Sequence, residues 1–174
     1  MNKTIECLIT RRSVRAYKDA IPAKELIGQV IEAGTYAPTG RGESAIIVAV
    51  TNKAVRDRLS KMNAEILGNA DTDPFYGAPV VLVVLAERSR STHIYDGSLV
   101  MGNLMNAAHA VGLGSCWIHR AKEMFDSAEG KALLKEWGVE GDYEGIANCV
   151  VGYPLDDKQQ PAKPRKADFV RYVK

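Results

Sequence analysis

Ala78 to Ala86 reads APVVLVVLA, a near-continuous aliphatic run. A strand with one wet face would alternate apolar with polar residues, so an unbroken run this short reads as a strand buried on both faces. A strand of that kind sits inside a sheet and needs a layer of structure on each side. The chain has 174 residues, enough to supply such layers from a single domain with a substantial core.

The flanking segments supply the layers. Ile5, Leu8 and Ile9 follow a cap at Asn2 or Thr4 and predict a short amphipathic helix. A second helix is expected over about Ala23 to Ala33, with Leu26, Ile27, Val30 and Ile31 inward, Pro22 at its start, and Gly34 and Pro38 stopping it. Ala45 to Val50 is β-rich, and Val55, Leu59, Met62 and Ile66 give helical spacing to Ala54–Leu67. Ile94 to Val111 is apolar nearly all round, with Gly97 and Gly102 allowing close packing, which predicts a buried helix. It leads through Gly112 into a strand ending at Ile118; a helix near Ser127–Glu136 and a strand over Ile146–Val151 follow. Long helices between few strands favour an α+β layered sheet over a doubly wound one. Beyond Pro154 the sequence turns polar and proline-bearing before DFVRYVK regains alternation, so residues 155–174 read as a surface arm with a short strand at its tip.

Charge gives little direction by its sum. Lys plus Arg number 23 against 21 for Asp plus Glu, and the net +2, with only 7% aromatic residues and no stacking motif among the basic ones, argues against a nucleic-acid or membrane partner. The basic residues concentrate at the two ends, in Arg11, Arg12, Arg15 and Lys18, and in Lys158, Lys163, Arg165, Lys166, Arg171 and Lys174. Cys7, Cys116 and Cys149 form no CxxC pair, which argues against a disulfide framework or zinc site and for a reduced, cytoplasmic protein. The opening residues hold no signal-peptide core, and no run approaches the roughly 18 apolar residues of a membrane span.

In RRSVRAY, Arg11 to Tyr17, guanidinium groups and a hydroxyl stand close enough to grip a phosphate, since arginine offers paired donors matching phosphate oxygens. The same residues could simply finish a helix and complement its dipole. The glycines of Thr39-Gly40-Arg41-Gly42 form neither GxGxxG nor a P-loop and read in isolation as a turn, as do Gly112 and Gly114.

Taken in order, Arg11-Arg12-Ser13 with Arg15, then Ala37-Pro38-Thr39, then the run from Asp96 through Gly112-Leu113-Gly114 to Trp117-Ile118, then Gly152-Tyr153-Pro154 and Lys163-Pro164-Arg165, the chain resembles the nitroreductase family over nearly its whole length. The resemblance implies an α+β fold with a mostly antiparallel central sheet of four strands flanked by helices, joined by a strand from the partner's C-terminal arm. It implies FMN held in the grooves of an intertwined homodimer, with hydride taken from NADH or NADPH and passed in ping-pong fashion to nitroaromatic, quinone or similar acceptors. No side chain is then required as a catalytic residue and no metal is called for, because the flavin carries the chemistry. A flavin-storage or redox-sensing protein with negligible turnover is the alternative.

By the same resemblance Arg11, Arg12, Ser13 and Arg15 correspond to phosphate and ribityl ligands, and Lys163 and Arg165 to a second clamp on the phosphate. Pro38, Thr39 and Gly40 match the loop that reaches the flavin from the other subunit, and Asn63 the asparagine at the ring's pyrimidine edge. Trp117, Ile118 and His119 lie where a strand end packs against the ring. Two stretches depart from the family: Gly40-Arg41-Gly42-Glu43-Ser44 replaces larger amide side chains near the expected pocket mouth, and His119-Arg120 stands where many relatives have Glu-Gly.

Overall fold

A computed structural model describes residues 1–40, 44–155 and 161–174. The element order is α1 (Lys3–Thr10), α2 (Lys24–Thr35), β1 (Ala45–Val50), α3 (Lys53–Leu67), β2 (Val80–Glu87), α4 (His93–Ala110), β3 (Gly114–Ile118), α5 (Ala121–Asp126), α6 (Ala128–Glu136) and β4 (Tyr143–Gly152). The four strands form one antiparallel sheet in the order β1-β2-β4-β3.

The aliphatic run becomes β2, flanked on both sides, and every side chain from Val80 to Ala86 is fully buried. Its alternate residues feed two cores. Val80, Leu82 and Val84 meet α2 and α4 through Val30, Met101 and Leu104, whereas Val81, Val83 and Leu85 meet the α3, α5 and α6 face through Leu59, Phe125 and Leu133. The result is three layers, helices on either face of an α+β sheet, as the sequence predicts.

Local chemistry sets the helix ends. Asn2 Oδ1 accepts the Thr4 N–H at 2.9 Å to cap α1, Asn52 Oδ1 accepts the Val55 N–H at 3.1 Å to cap α3, and Ser127 Oγ accepts the Gly130 N–H at 3.0 Å to cap α6. Helix α2 runs one residue past Gly34, where the expected stop fell. Gly34 is there for space: a Cβ would lie 2.6 Å from Leu104 Cδ2, so it marks close packing against α4 rather than an end. Helix α5 goes beyond the sequence reading. Its six residues, AKEMFD, bury Ala121, Met124 and Phe125 on one face, too brief a pattern to separate from a loop.

The arm carries no strand within the single subunit: residues 161–174 are exposed throughout, and a lone strand is not stable. Residues 156–160, which carry Lys158, lie outside the described residues, as do Arg41, Gly42 and Glu43.

Candidate flavin site

The basic segment after α1 runs along the outer edge of β3. Ser13 bridges Ser115 in parallel, the Val14 N–H donates to the Ser115 carbonyl at 3.0 Å, and the Lys18 N–H donates to the Tyr153 carbonyl at 2.9 Å. Two glycines permit the approach. A Cβ on Gly114 would lie 2.8 Å from Val14 Cγ2, and one on Gly152 would lie 2.9 Å from Tyr17 Cδ1. The glycines of GLG and GYP are thus the sequence mark of the segment that carries the arginines.

Arg11, Arg12 and Ser13 are half-buried and Arg15 is exposed. None of these arginines has a carboxylate partner among the described residues, whereas Arg56 pairs with Asp73, Arg58 with Glu129 and Arg88 with Glu144. One atom stands out: Arg11 Nη1 is buried without a hydrogen-bond partner among the described residues. A buried, unpaired guanidinium nitrogen is costly and calls for an acceptor. The local field is positive enough to be felt nearby. Burial, and then the charges of Arg11 and Arg12, hold His109 below the ordinary histidine range, while its Nε2 lies 2.9 Å from Thr10 Oγ1.

The cysteines beside this cluster offer no nucleophile. Burial raises the Cys116 thiol, against the opposing pull of Arg15, Ser13 and Arg11, and burial pushes Cys149 up to about 12. Both stay protonated at neutral pH.

The far end of β3 carries a second group. Strand alternation places Trp117 and His119 on one face, with ring centroids 5.9 Å apart, and Ile118 on the other, where it is buried in the core. The structure therefore divides the run Trp117-Ile118-His119: His119 is exposed and Trp117 half-buried with Nε1 unpartnered, but the Ile118 side chain faces inward. Asn63 on α3 is fully buried; its Nδ2 donates to the His119 carbonyl at 2.8 Å and its Oδ1 accepts Arg120 Nε–H at 3.0 Å. That pairing makes Asn63 a residue that fixes the strand end, a role other than the place at the ring's edge that the resemblance implies. From Ser115 to His119 is four residues, about 13 Å at strand rise.

The loop residues Pro38, Thr39 and Gly40 are elsewhere. Asp96 Oδ1 accepts the Gly40 N–H at 3.0 Å, and Asp96 Oδ2 accepts from Ser44 Oγ at 2.5 Å and from Thr92 Oγ1 at 2.9 Å. Asp96 lies in the first turn of α4 and His109, beside the arginines, in the last. Thirteen residues separate them, about 20 Å along the helix. Ser44 is buried against Asp96 rather than lining an open mouth, which corrects its expected place. Lys163 and Arg165 lie on the exposed tail, where Arg165 Nη2 donates to the Lys163 carbonyl at 2.9 Å, and no hydrogen bond or ion pair joins them to the Arg11–Arg15 cluster among the described residues.

Comparison with known proteins agrees with this frame. A protein of Archaeoglobus fulgidus carrying the name NADH dehydrogenase/NAD(P)H nitroreductase is 29% identical over 173 residues, covering 91% of this chain and 89% of its own. The FMN reductase [NAD(P)H] of Bacillus subtilis is 24% identical over 192 residues, covering 96% of this chain and 72% of its own. Among solved structures, a nitroreductase with bound FMN from Bacteroides fragilis superposes with a TM-score of 0.91 at 26% identity, covering all of both chains. The sequence model described as the Nitroreductase family matches residues 8–153, and the chain belongs to that family.

Proposed function

We propose that the protein is an FMN-dependent oxidoreductase that acts as a homodimer, accepts hydride from NADH or NADPH, and passes it in a separate half-reaction to nitroaromatic, quinone or similar small acceptors. The observation that carries the reading is the buried Arg11 Nη1, unpaired among the described residues, within a cluster of arginines that has no carboxylate partner among them. A phosphate monoester fits that cluster, because guanidinium groups and the Ser13 hydroxyl supply charge-assisted donors to its oxygens. The cluster and the strand end carrying Trp117 and His119 flank β3 about 13 Å apart, which suits an anionic group at one end and a flat ring at the other.

When bound, FMN supplies the hydride acceptor and donor of the cycle. The chain supplies position and field. Arg11, Arg12, Ser13 and Arg15 hold the phosphate, Asn63 holds the strand end in register, and Trp117 and His119 offer flat surface beside the ring. Because the flavin carries the hydride, an acid–base dyad or nucleophile is not needed.

Two features support the homodimer. Helix α1 buries none of its residues, leaving Ile5, Leu8 and Ile9 exposed, and α4 exposes Ile94, Tyr95 and Leu99. Moreover, Pro38–Gly40 sits about 20 Å of helix away from the arginines of its own subunit, which suits a loop that serves a site built around another subunit's arginines. The exposed tail, with Lys163 and Arg165, is then free to cross to the partner and close over the phosphate. No described helix is long and apolar enough to cross a membrane.

Anaerobic stopped-flow mixing of the FMN-loaded protein with NADH, and separately with NADPH, tests the reading. Bleaching of the flavin absorbance within a turnover, followed by reoxidation on adding a quinone or nitroaromatic, is expected. Flavin that stays oxidised with both nicotinamides would favour storage or sensing.

A further inference from the structure

Arg120 is held in an unusual way. It follows β3 and precedes α5 with φ of 72°, the left-handed region that costs a side-chain-bearing residue strain, and Tyr76 is the only other non-glycine residue with positive φ among those described. Strain of this kind persists only where the surroundings enforce it. Here the enforcing element is the fully buried Asn63, whose Oδ1 accepts Arg120 Nε–H at 3.0 Å while its Nδ2 donates to the preceding carbonyl, that of His119, at 2.8 Å. One amide thus fixes both the backbone before Arg120 and the base of its guanidinium.

The outer edge of that guanidinium is spent on nothing. Arg120 has no carboxylate partner among the described residues, while Lys122, two positions on, pairs with both Asp126 and Glu144. Among the described residues Nη1 and Nη2 have no hydrogen-bond partner, and neither is among the buried unpaired atoms, which leaves both open. An arginine braced at Nε with its terminal nitrogens open presents two parallel donors, the geometry that matches a carboxylate or sulfonate.

The geometry points to Arg120 as a specificity-determining residue that selects electron acceptors bearing a carboxylate or sulfonate, holding the anionic group at the end of β3 beside the ring. This inference rests on the reading that the flavin ring lies at that strand end. The brace matters to it, because a guanidinium already fixed at Nε loses less freedom on binding than a free one.

The test compares 4-nitrobenzoate with the matched neutral 4-nitrobenzamide as acceptors for FMN-loaded wild type, Arg120→Gln, Arg120→Lys and Arg120→Gly. In Arg120→Gln, kcat/KM for the benzoate should fall by at least about tenfold, mainly through KM, while that for the benzamide changes less than about threefold. Arg120→Lys should recover part of the preference. Arg120→Gly relieves the backbone strain, so it should melt at a higher temperature than Arg120→Gln yet be as indifferent to charge, which separates recognition from folding. Equal losses for both acceptors, or no loss for either, would overturn the assignment while leaving the flavin enzyme intact. A wild-type protein that binds no FMN or reduces neither acceptor would overturn the proposed function and this inference with it.

Discussion

The carboxylate of Asp96 accepts the N–H of Gly40 at 3.0 Å across 56 positions of sequence, and the same buried side chain takes the hydroxyls of Ser44 and Thr92. This one residue anchors both described ends of the connection between α2 and β1 to the first turn of α4. Asp96→Ala strands one buried and two part-buried donors and should destabilise the fold by about 1.5–3 kcal/mol in chemical denaturation, the usual scale for bonds to a charged acceptor. Asp96→Asn, which keeps an acceptor oxygen, should cost less. An alanine variant as stable as wild type would show that the anchor is idle.

A second carboxylate predicts the acid limb of the stability curve. Asp73 Oδ2 accepts from Arg56 Nη2 at 2.5 Å, and Arg56 Nε–H also donates to the Ala78 carbonyl at 2.9 Å. Burial pushes the Asp73 carboxyl up, but the hydrogen bonds from Arg56, Ser60 and the N–H groups of Gly77 and Phe75 outweigh it and hold it below the ordinary 3.8. A depressed carboxylate contributes stability that is present above its unfolded value and is lost as pH falls through its folded one. Stability of the wild type should therefore decline below about pH 4, and Asp73→Asn should show a flatter decline over that range from a lower plateau. Identical pH slopes for the two proteins would contradict this.

Deleting residues 167–174 while keeping Arg165 tests the arm. Phe169 is 77% and Tyr172 87% exposed in the single subunit, large apolar surface that a partner's sheet edge would cover. Loss of dimer mass in solution together with loss of bound FMN is expected. A truncated protein that stays dimeric and flavin-loaded would show that the arm is dispensable, and loss of one property alone would uncouple the two.

Much of this was legible in the sequence where a local pattern is strong. The aliphatic run became β2, Ala45–Val50 became β1 with the same bounds, and the all-round apolar stretch became α4 within a residue at each end. What escaped depends on distant partners. Asn63 acts through His119 and Arg120, more than fifty positions away, and Asp96 through Gly40 and Ser44; no periodicity encodes such pairings. Ile118 joined its neighbours in the sequence reading, yet the twofold alternation of a strand turns it to the opposite face. The arginines were visible as a cluster, but only the fold shows that they lack carboxylates among the described residues while Arg56, Arg58 and Arg88 do not.

The central claim is that the carboxylate-free arginines beside β3 are a phosphate site, and paired titrations with FMN and riboflavin, followed by flavin fluorescence in wild type and Arg11→Gln, test it most directly. Each charge-assisted contact to the phosphate is worth about 1.5–3 kcal/mol, so wild type should bind FMN more tightly than riboflavin by well over about tenfold. Arg11→Gln should lose affinity for FMN while leaving riboflavin nearly unchanged, narrowing the ratio. Equal affinity for the two flavins in wild type, or equal weakening of both in the variant, would contradict the account.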